Sequence, residues 1–170
     1  KKGDWLSQNK SKVYYNLAIC YSQEKQINKE IEMYEEALSQ KDNWISNNKS
    51  HLYYNLANCY FHKKDYYKAI EMYTNTLNQK DGKKGDWLSK NKSRVYYNLA
   101  SCYYIKHDDD KAIEMHNAAL KQDDDWILKN QSRIYYNLAS FYYANNKNDE
   151  AIEMYTNALN QKDEWLSKNK

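Results

Sequence analysis

An asparagine follows a pair of tyrosines four times in the 170-residue chain. The asparagines are Asn16, Asn55, Asn98 and Asn137, and the tyrosines directly before them are Tyr15, Tyr54, Tyr97 and Tyr136. A side-chain amide offers both a donor and an acceptor, so a column of amides can hydrogen-bond the backbone of an extended peptide whatever its sequence. The pattern therefore predicts a peptide-binding surface. Bonding of the amides to a neighbouring helix is the alternative that the sequence leaves open.

A cationic or imidazole side chain lies three residues before the second tyrosine of each pair, and on a helix it shares roughly the same face. These side chains belong to Lys12, His51, Arg94 and Arg133. A solvated basic edge without a ligand is the favoured interpretation. Contact of the candidate residues Arg94 and Arg133 with carboxylates of a bound peptide is the alternative.

No arrangement of residues predicts catalysis. The four histidines occupy unrelated positions, and Gly82 to Gly85 lacks the spacing of a phosphate-binding loop. The three cysteines form no CxxC pair and their number is odd, so neither a zinc site nor a disulfide framework is indicated. We therefore expect a non-enzymatic protein without a metal or a cofactor.

The charge balance narrows the class of partner. The chain has 26 Lys and Arg against 23 Asp and Glu, a net charge of +3, and no long basic block of the kind that binds nucleic acid. No apolar run reaches the eighteen or so residues of a membrane span. A protein or peptide partner is therefore expected, with no nucleic acid and no membrane insertion.

The tyrosine pairs belong to a longer internal repeat. Serines that open the matching segments stand at intervals of 39, 43 and 39 residues, and a second shared block, IEMY or IEMH, begins twenty residues after each serine. The serines are Ser11, Ser50, Ser93 and Ser132. A tryptophan marks each junction, at Trp5, Trp44, Trp87, Trp126 and Trp165. Four closely similar units follow one another.

Within each unit the apolar residues recur at helical spacing in two segments, separated by a short polar turn. The sequence predicts helices at 5–24, 27–41, 44–63, 66–81, 87–106, 109–123, 126–145 and 148–162. One helix pair cannot bury both of its faces alone, so neighbouring pairs must stack. The fold class is accordingly all-α, a right-handed superhelical solenoid of four helix-turn-helix repeats over residues 1–170.

The segment Tyr53-Tyr54-Asn55-Leu56-Ala57-Asn58-Cys59-Tyr60, followed by Ala69-Ile70-Glu71-Met72-Tyr73, resembles the tetratricopeptide repeat. All four units match, although the usual period of this family is about 34 residues. The resemblance implies a scaffold that binds an extended peptide or a partner helix in a concave groove lined by the first helices. The asparagine column is similar to the asparagine ladder of the glycosyltransferase and kinesin light chain repeats.

The tryptophan segments set the predicted unit boundaries. Two glycines close together before Trp87 break the second helix, so each tryptophan is predicted to open the first helix of the following unit. The predicted caps of these helices are Asp4, Asn43, Asp86, Asp125 and Asp163. An extension of the preceding helix is the competing interpretation. The predicted repeats are 4–42, 43–85, 86–124 and 125–163, with a partial fifth repeat at 164–170.

The partial unit carries Trp165 and Leu166 without the rest of their helix, and neither end shows a polar capping element. The alternative function is therefore structural: a segment of a longer array that continues beyond residue 170, or a fibre built by head-to-tail self-association.

Two features point to different compartments. Cys20, Cys59 and Cys102 share one helical position and are predicted to be buried free thiols, which favours the reducing cytoplasm. One N-x-S sequon per unit, at Asn9, Asn48, Asn91 and Asn130, favours an extracellular protein with a row of glycans instead. Because each sequon lies on a predicted helix, the cytoplasm is the preferred assignment.

Overall fold

The computed structural model describes residues 2–79 and 87–169, with side chains from Trp5 onward. Its helices are α1 Lys2–Gln23, α2 Ile27–Ser39, α3 Asn43–His62, α4 Tyr66–Leu77, α5 Lys92–Ile105, α6 Asp109–Leu120, α7 Ile127–Ala144, α8 Asn148–Asn160 and α9 Glu164–Lys168. A short 3-10 helix, Leu88–Lys90, precedes α5. The described residues contain no strand. All eight predicted helices are present, so the all-α repeat class is confirmed.

The chain divides into two compact units, Lys1–Ser89 and Lys90–Lys170, here called unit 1 and unit 2. Unit 1 holds α1 to α4, and unit 2 holds α5 to α9. Each contains two helix pairs, and the two repeats of unit 2 correspond in order to the two of unit 1, as Ser93 corresponds to Ser11. The predicted repeat boundaries and the single domain over residues 1–170 stay predictions.

Each helix pair is joined by a three-residue turn whose middle residue is left-handed. The positive φ angles are 56° at Lys25, 62° at Lys64, 58° at His107 and 58° at Asn146. This conformation allows the next N–H to bond to the carbonyl five residues back, as Gln26 N does to Tyr21 O at 2.9 Å. Such a bond satisfies a carbonyl that the end of the first helix would otherwise leave without a partner.

The core of each unit lies between its helices. One alanine per repeat, Ala18, Ala57, Ala100 or Ala139, is fully buried. A small side chain at this position lets helices approach closely. In unit 2, Ala119 of α6 packs with Ile127, Ile134 and Leu138, so the second helix of one repeat shares a core with the first helix of the next.

Buried aspartates join successive repeats. Asp42 accepts hydrogen bonds from Ser11 N at 2.7 Å and Ser11 Oγ at 2.6 Å, and it also accepts from Trp44 N and Ile45 N, both at 3.1 Å. One carboxylate therefore holds the first helix of its own repeat and caps the first helix of the next.

The same arrangement, here called the Ser–Asp clamp, recurs in unit 2. Ser93 N and Oγ donate to Asp124 at 2.7 and 2.5 Å, and Ser132 N and Oγ donate to Asp163 at 2.6 and 2.5 Å. Ser50, the corresponding serine of α3, is buried and its Oγ has no partner among the described residues. Asp81, its counterpart aspartate by spacing, lies outside the described residues.

The clamps correct the predicted helix caps. Asp42 caps α3, so the prediction of Asn43 as the cap is wrong. Asp124 accepts from Trp126 N and Ile127 N at the start of α7, so the prediction of Asp125 is also wrong. The aspartate two residues before the tryptophan caps the helix because its carboxylate also accepts hydrogen bonds from the buried serine. The predicted caps Asp4 and Asp86 lie outside the described side chains.

The assignment of the tryptophan segment to the following first helix is confirmed where α3 runs unbroken through Trp44. Inside α1 and before α5 the segment bends. Inside α1 the backbone of Asn9 is non-helical, with φ −133° and ψ 16°, and Asn91 adopts φ −136° and ψ 12° just before α5. Trp87 itself lies in a turn. The predicted helix 87–106 is therefore shorter than expected.

Candidate functional site

The second tyrosine of each pair contacts the tryptophan that follows it in the next repeat. Ring centroids are 5.2 Å apart for Tyr15 and Trp44, 4.7 Å for Tyr54 and Trp87, 5.2 Å for Tyr97 and Trp126, and 5.7 Å for Tyr136 and Trp165. Tyr54 is only 4% exposed, whereas Tyr136 is 47% exposed. These predicted binding residues therefore form the contact between repeats, and the ring of Tyr54 is covered.

His51 and Arg133, each three positions before a second tyrosine, also meet an aromatic ring of a neighbouring repeat. In unit 1, His51 stacks on Trp87 at 4.8 Å with an interplanar angle of 13° and lies 5.7 Å from Tyr15. In unit 2, the guanidinium of Arg133 lies over Tyr97 at 4.7 Å. A cation over a tyrosine face is attracted by the ring quadrupole. Arg133 therefore already has a ring partner, and Arg94 is exposed.

Asn55 and Asn137 hydrogen-bond to tyrosines of the preceding repeat. Asn55 bonds to Tyr15 and Tyr34, and Asn137 Nδ2 donates to Tyr97 Oη at 3.4 Å. Burial raises the pKa of Tyr15, and the bond from Asn55 opposes that shift. Asn16 is exposed and Asn98 is half-buried. Bonding to a neighbouring helix thus accounts for part of the amide pattern.

Asn55 and Asn137 also line cavities, one in each unit, at corresponding positions of the repeat. The unit 1 cavity has a volume of about 280 Å³ and is lined by Glu30, Tyr34, Asn55, Asn58, Cys59 and His62 among others. The unit 2 cavity has a volume of about 210 Å³, and its lining includes Tyr104, His116, Asn137, Ser140, Phe141 and Ala144. Each cavity is formed by three helices, the two of one repeat and the first of the next.

The two cavities differ in their electrostatics. In unit 1, burial raises the pKa of Cys59, and the charge of Glu30 raises it further. The same two causes, burial first, raise the pKa of Tyr34. In unit 2, burial lowers the pKa of His116 to about 4, so the imidazole is neutral at pH 7. An acid lines each cavity, Glu30 in unit 1 and Asp109 in unit 2, and the difference lies in the buried groups beside them.

The cysteines occupy two environments. Cys59 and Cys102 are buried as predicted, and burial raises the pKa of Cys102 to about 12. Cys20 is exposed, so the prediction that it is buried is wrong. Its helix, α1, has no preceding repeat among the described residues to cover that position.

The sequon asparagines bond to their own helices. Asn48 Nδ2 donates to Trp44 O at 2.7 Å, Asn130 Nδ2 to Trp126 O at 2.8 Å, and Asn9 Nδ2 to Trp5 O at 2.9 Å. A glycan would have to replace one of the two hydrogens on this nitrogen. The sequon at Asn91 ends at Ser93, which is buried in its clamp. Glycosylation at these four positions stays a prediction.

Among the described residues, no group of three or more His, Cys, Asp or Glu side chains is placed to hold a metal ion. No helix in the described ranges is both long and apolar enough to cross a membrane.

Comparisons with known proteins agree with the helix-pair geometry. Three tetratricopeptide repeat family models match residues 11–43, 49–125 and 134–170. No curated protein matches the chain.

Solved structures share the fold. A crystal structure of MamA has a TM-score of 0.73 at 20% identity, over 94% of this chain and 82% of that chain. BtubC (BKLC) from P. vanneervenii has 0.70 at 25% identity, over 87% of this chain and 61% of that one. PilF of Pseudomonas aeruginosa has a TM-score of 0.67 at 18% identity, over 87% of this chain and 60% of that chain. The chain thus spans about three fifths of the last two proteins.

Proposed function

Because the chain belongs to the tetratricopeptide repeat family, whose members bind protein partners, we propose that it binds an extended peptide or a partner helix on the surface that opens into the asparagine-lined cavities. The binding is non-enzymatic. Asn55 and Asn137 are its central polar contacts, with Asn16, Asn98, Arg94 and Arg133 on the same predicted face.

One observation supports this proposal most directly: corresponding asparagines of both units reach open cavities while bonded to only part of their capacity. An amide has two N–H donors and an acceptor oxygen with two lone pairs. The bond that Asn137 donates to Tyr97 uses one donor. The remaining groups are available to a peptide backbone. The covered ring of Tyr54 supplies packing and no ligand contact.

The experiment is a selection of binding peptides from a random library, followed by calorimetry. We expect N55A and N137A each to weaken the selected peptide by five-fold to a hundred-fold, equivalent to about 1–3 kcal/mol for polar groups left unpaired. The matched control is N117A, because Asn117 is exposed on α6 and lines neither cavity.

Thermal unfolding separates a binding effect from a folding effect, since Asn55 also bonds to tyrosines. Unchanged affinity in both variants, with unchanged unfolding temperature, would remove the cavities from the binding surface.

A second candidate function is self-association. On α1, Val13 is 41% and Leu17 is 39% exposed, whereas their counterparts in later repeats are buried. On α8, Ile152 is 65% and Leu159 is 72% exposed, although Ile31 at the corresponding place of α2 is buried against its neighbours. In unit 2 the counterparts of Val13 and Leu17 on α7 pack against the counterparts of Ile152 and Leu159 on α6. A second copy of the chain can therefore dock its α1 on α8.

Light scattering over a range of concentrations tests this candidate. Growth in mass with concentration that is abolished by V13S/L17S supports head-to-tail association. A constant monomer mass at high micromolar concentration rejects it for this segment.

A further inference from the structure

His116 occupies a position that three other repeats fill with tyrosine. Its counterparts are Tyr34, Tyr73 and Tyr155. Tyr73 Oη donates to Asn58 Oδ1 at 2.6 Å, and Tyr155 Oη lies 3.3 Å from Ser140 Oγ, in each case a residue fifteen positions earlier. The corresponding residue for His116 is Ser101, and both line the unit 2 cavity. The phenol hydroxyl that this environment accommodates elsewhere is missing here.

One nitrogen of the imidazole is left without a polar partner. The side chain of His116 is 2% exposed, and its Nδ1 is buried with no hydrogen-bond partner among the described residues. Buried polar atoms without a partner are rare in folded proteins, and each calls for a reason. Other polar groups of the lining are bonded: Ser101 Oγ to Tyr97 O at 3.1 Å, and Ser140 Oγ to Tyr136 O at 3.0 Å.

Aromatic and polar side chains both line the cavity, and Asp109 is among the polar ones. Tyr104 and Phe141 meet edge to face at 4.8 Å, and Phe141 meets His116 edge to face at 6.0 Å. Ala144 contributes a small apolar surface to the lining. Aromatic pairs prefer such tilted contacts, so a further ring adds to the cluster favourably. A volume of about 210 Å³ is below the range of pockets for drug-sized ligands and fits one side chain.

From this arrangement we propose that the unit 2 cavity binds a phenol, namely the tyrosine side chain of a bound peptide, with the ring against Phe141 and Tyr104 and the hydroxyl bonded to the imidazole of His116. A hydroxyl both donates and accepts, so it pairs with either neutral tautomer of histidine. The unit 1 cavity does not share this specificity, because Tyr34 already places a phenol there beside Glu30.

The first test uses p-cresol as the probe and toluene as its hydrocarbon counterpart, followed by NMR of the histidine side chains and of α6 and α7. We expect p-cresol to bind at least ten-fold more tightly than toluene and to shift the His116 imidazole resonances. H116F should retain the ring contacts and bind both probes equally. H116Y places a phenol in the cavity, as in the other repeats, and should abolish binding of p-cresol.

Equal affinity of the native protein for p-cresol and toluene, or shifts confined to residues outside the cavity, would overturn the proposal. N117A serves as the unaffected control. If H116Y fails to fold, H116F still decides the result, because it removes the polar group and keeps an aromatic ring.

The assignment of the phenol to a peptide rests on the proposed function, and the two fail differently. With a selected peptide that contains tyrosine, a Tyr→Phe change in the peptide should weaken binding about ten-fold to native protein and leave binding to H116F unchanged. If the Tyr→Phe change leaves the affinity of the peptide for native protein unchanged, the tyrosine assignment alone is wrong. Binding of p-cresol without any selectable peptide sinks the peptide-binding function alone.

Discussion

Unit 1 and unit 2 repeat the same order of helix pairs, but they differ in the side chains that line their cavities. The contacts between repeats recur in both: the tyrosine-to-tryptophan packing occurs twice in each unit. The cavity linings have diverged. Tyr34, Cys59 and His62 of unit 1 correspond to His116, Phe141 and Ala144 of unit 2.

The comparison separates residues that hold repeats together from residues that are free to vary. Each aspartate of the clamp accepts hydrogen bonds from backbone N–H groups and from a serine hydroxyl, so its replacement leaves buried donors without a partner. The linings instead differ in residue type at corresponding positions, although side chains such as Tyr34 and His116 are themselves buried. Variation in the lining therefore changes the shape and polarity of the cavity.

The largest expected effect tests whether the clamps of the two units are equivalent. D124A deprives Ser93 N, Ser93 Oγ and two helix N–H groups of their acceptor, and we expect it to lower the free energy of unfolding by about 3 kcal/mol. D42A should cost the same in unit 1, because Asp42 makes the corresponding bonds. Urea denaturation measures both.

The matched control is D125A, an exposed aspartate next to the clamp, which should change stability by less than about 0.5 kcal/mol. Burial alone would raise the pKa of Asp42, but its bonds from Ser11, Ile45 and Trp44 lower it overall. The stabilisation is therefore complete above about pH 4, near the unfolded pKa of aspartate, and is lost as the pH falls below that value. A difference of more than about 1 kcal/mol between D42A and D124A would break the equivalence of the clamps.

The next effect sharpens the contrast between Tyr34 and His116. In the unfolded chain a histidine has a pKa of about 6.5, whereas burial lowers the pKa of folded His116 to about 4. The unfolded state then binds more protons between these values, so stability falls as the pH drops through this window. The expected loss from pH 7 to pH 5 is about 2 kcal/mol. H116Y should remove that loss, as seen by urea denaturation at both pH values.

The reciprocal variant, Y34H, should give unit 1 a weaker dependence of the same sign, because the nearby Glu30 favours a protonated imidazole. A native protein whose stability is equal at pH 5 and pH 7 would contradict the burial of a neutral His116.

Helix pairs, their turns and the place of the tryptophan segment could be predicted from the sequence, because each depends on residues close together in the chain. The burial of Tyr54 could not. Its position lies off the apolar stripe of α3, and the ring that covers it, Trp87, comes from the start of the next repeat. The pattern of apolar residues along α3 does not show which residue of the next repeat covers the ring of Tyr54.

The clamp has a signature in the sequence. Each of the four serines is followed at one constant spacing by an aspartate, at Asp42, Asp81, Asp124 and Asp163. This spacing is enough to suggest a contact between the serine and the aspartate, but several aspartates and asparagines lie near each junction. The choice among them depends on reach to a buried hydroxyl. The cavities could not be predicted either, since their volume depends on how three helices meet.

The smallest expected effect compares two serines at corresponding places in successive repeats. Ser93 Oγ donates to the Asp124 carboxylate at 2.5 Å, and a bond to a charged group contributes about 1.5–3 kcal/mol. S93A keeps the backbone bond from residue 93, so we expect a cost near the lower limit, about 1.5 kcal/mol.

Ser50 Oγ is buried without a partner among the described residues. S50A therefore removes an unsatisfied hydroxyl and should be neutral or slightly stabilising, within about 0.5 kcal/mol of the native protein. S132A, whose hydroxyl bonds to Asp163, is the matched positive control in unit 2. Equal destabilisation by S50A and S93A in urea denaturation would mean that the clamp is complete in every repeat, and the contrast between the two units would then lie in their cavities alone.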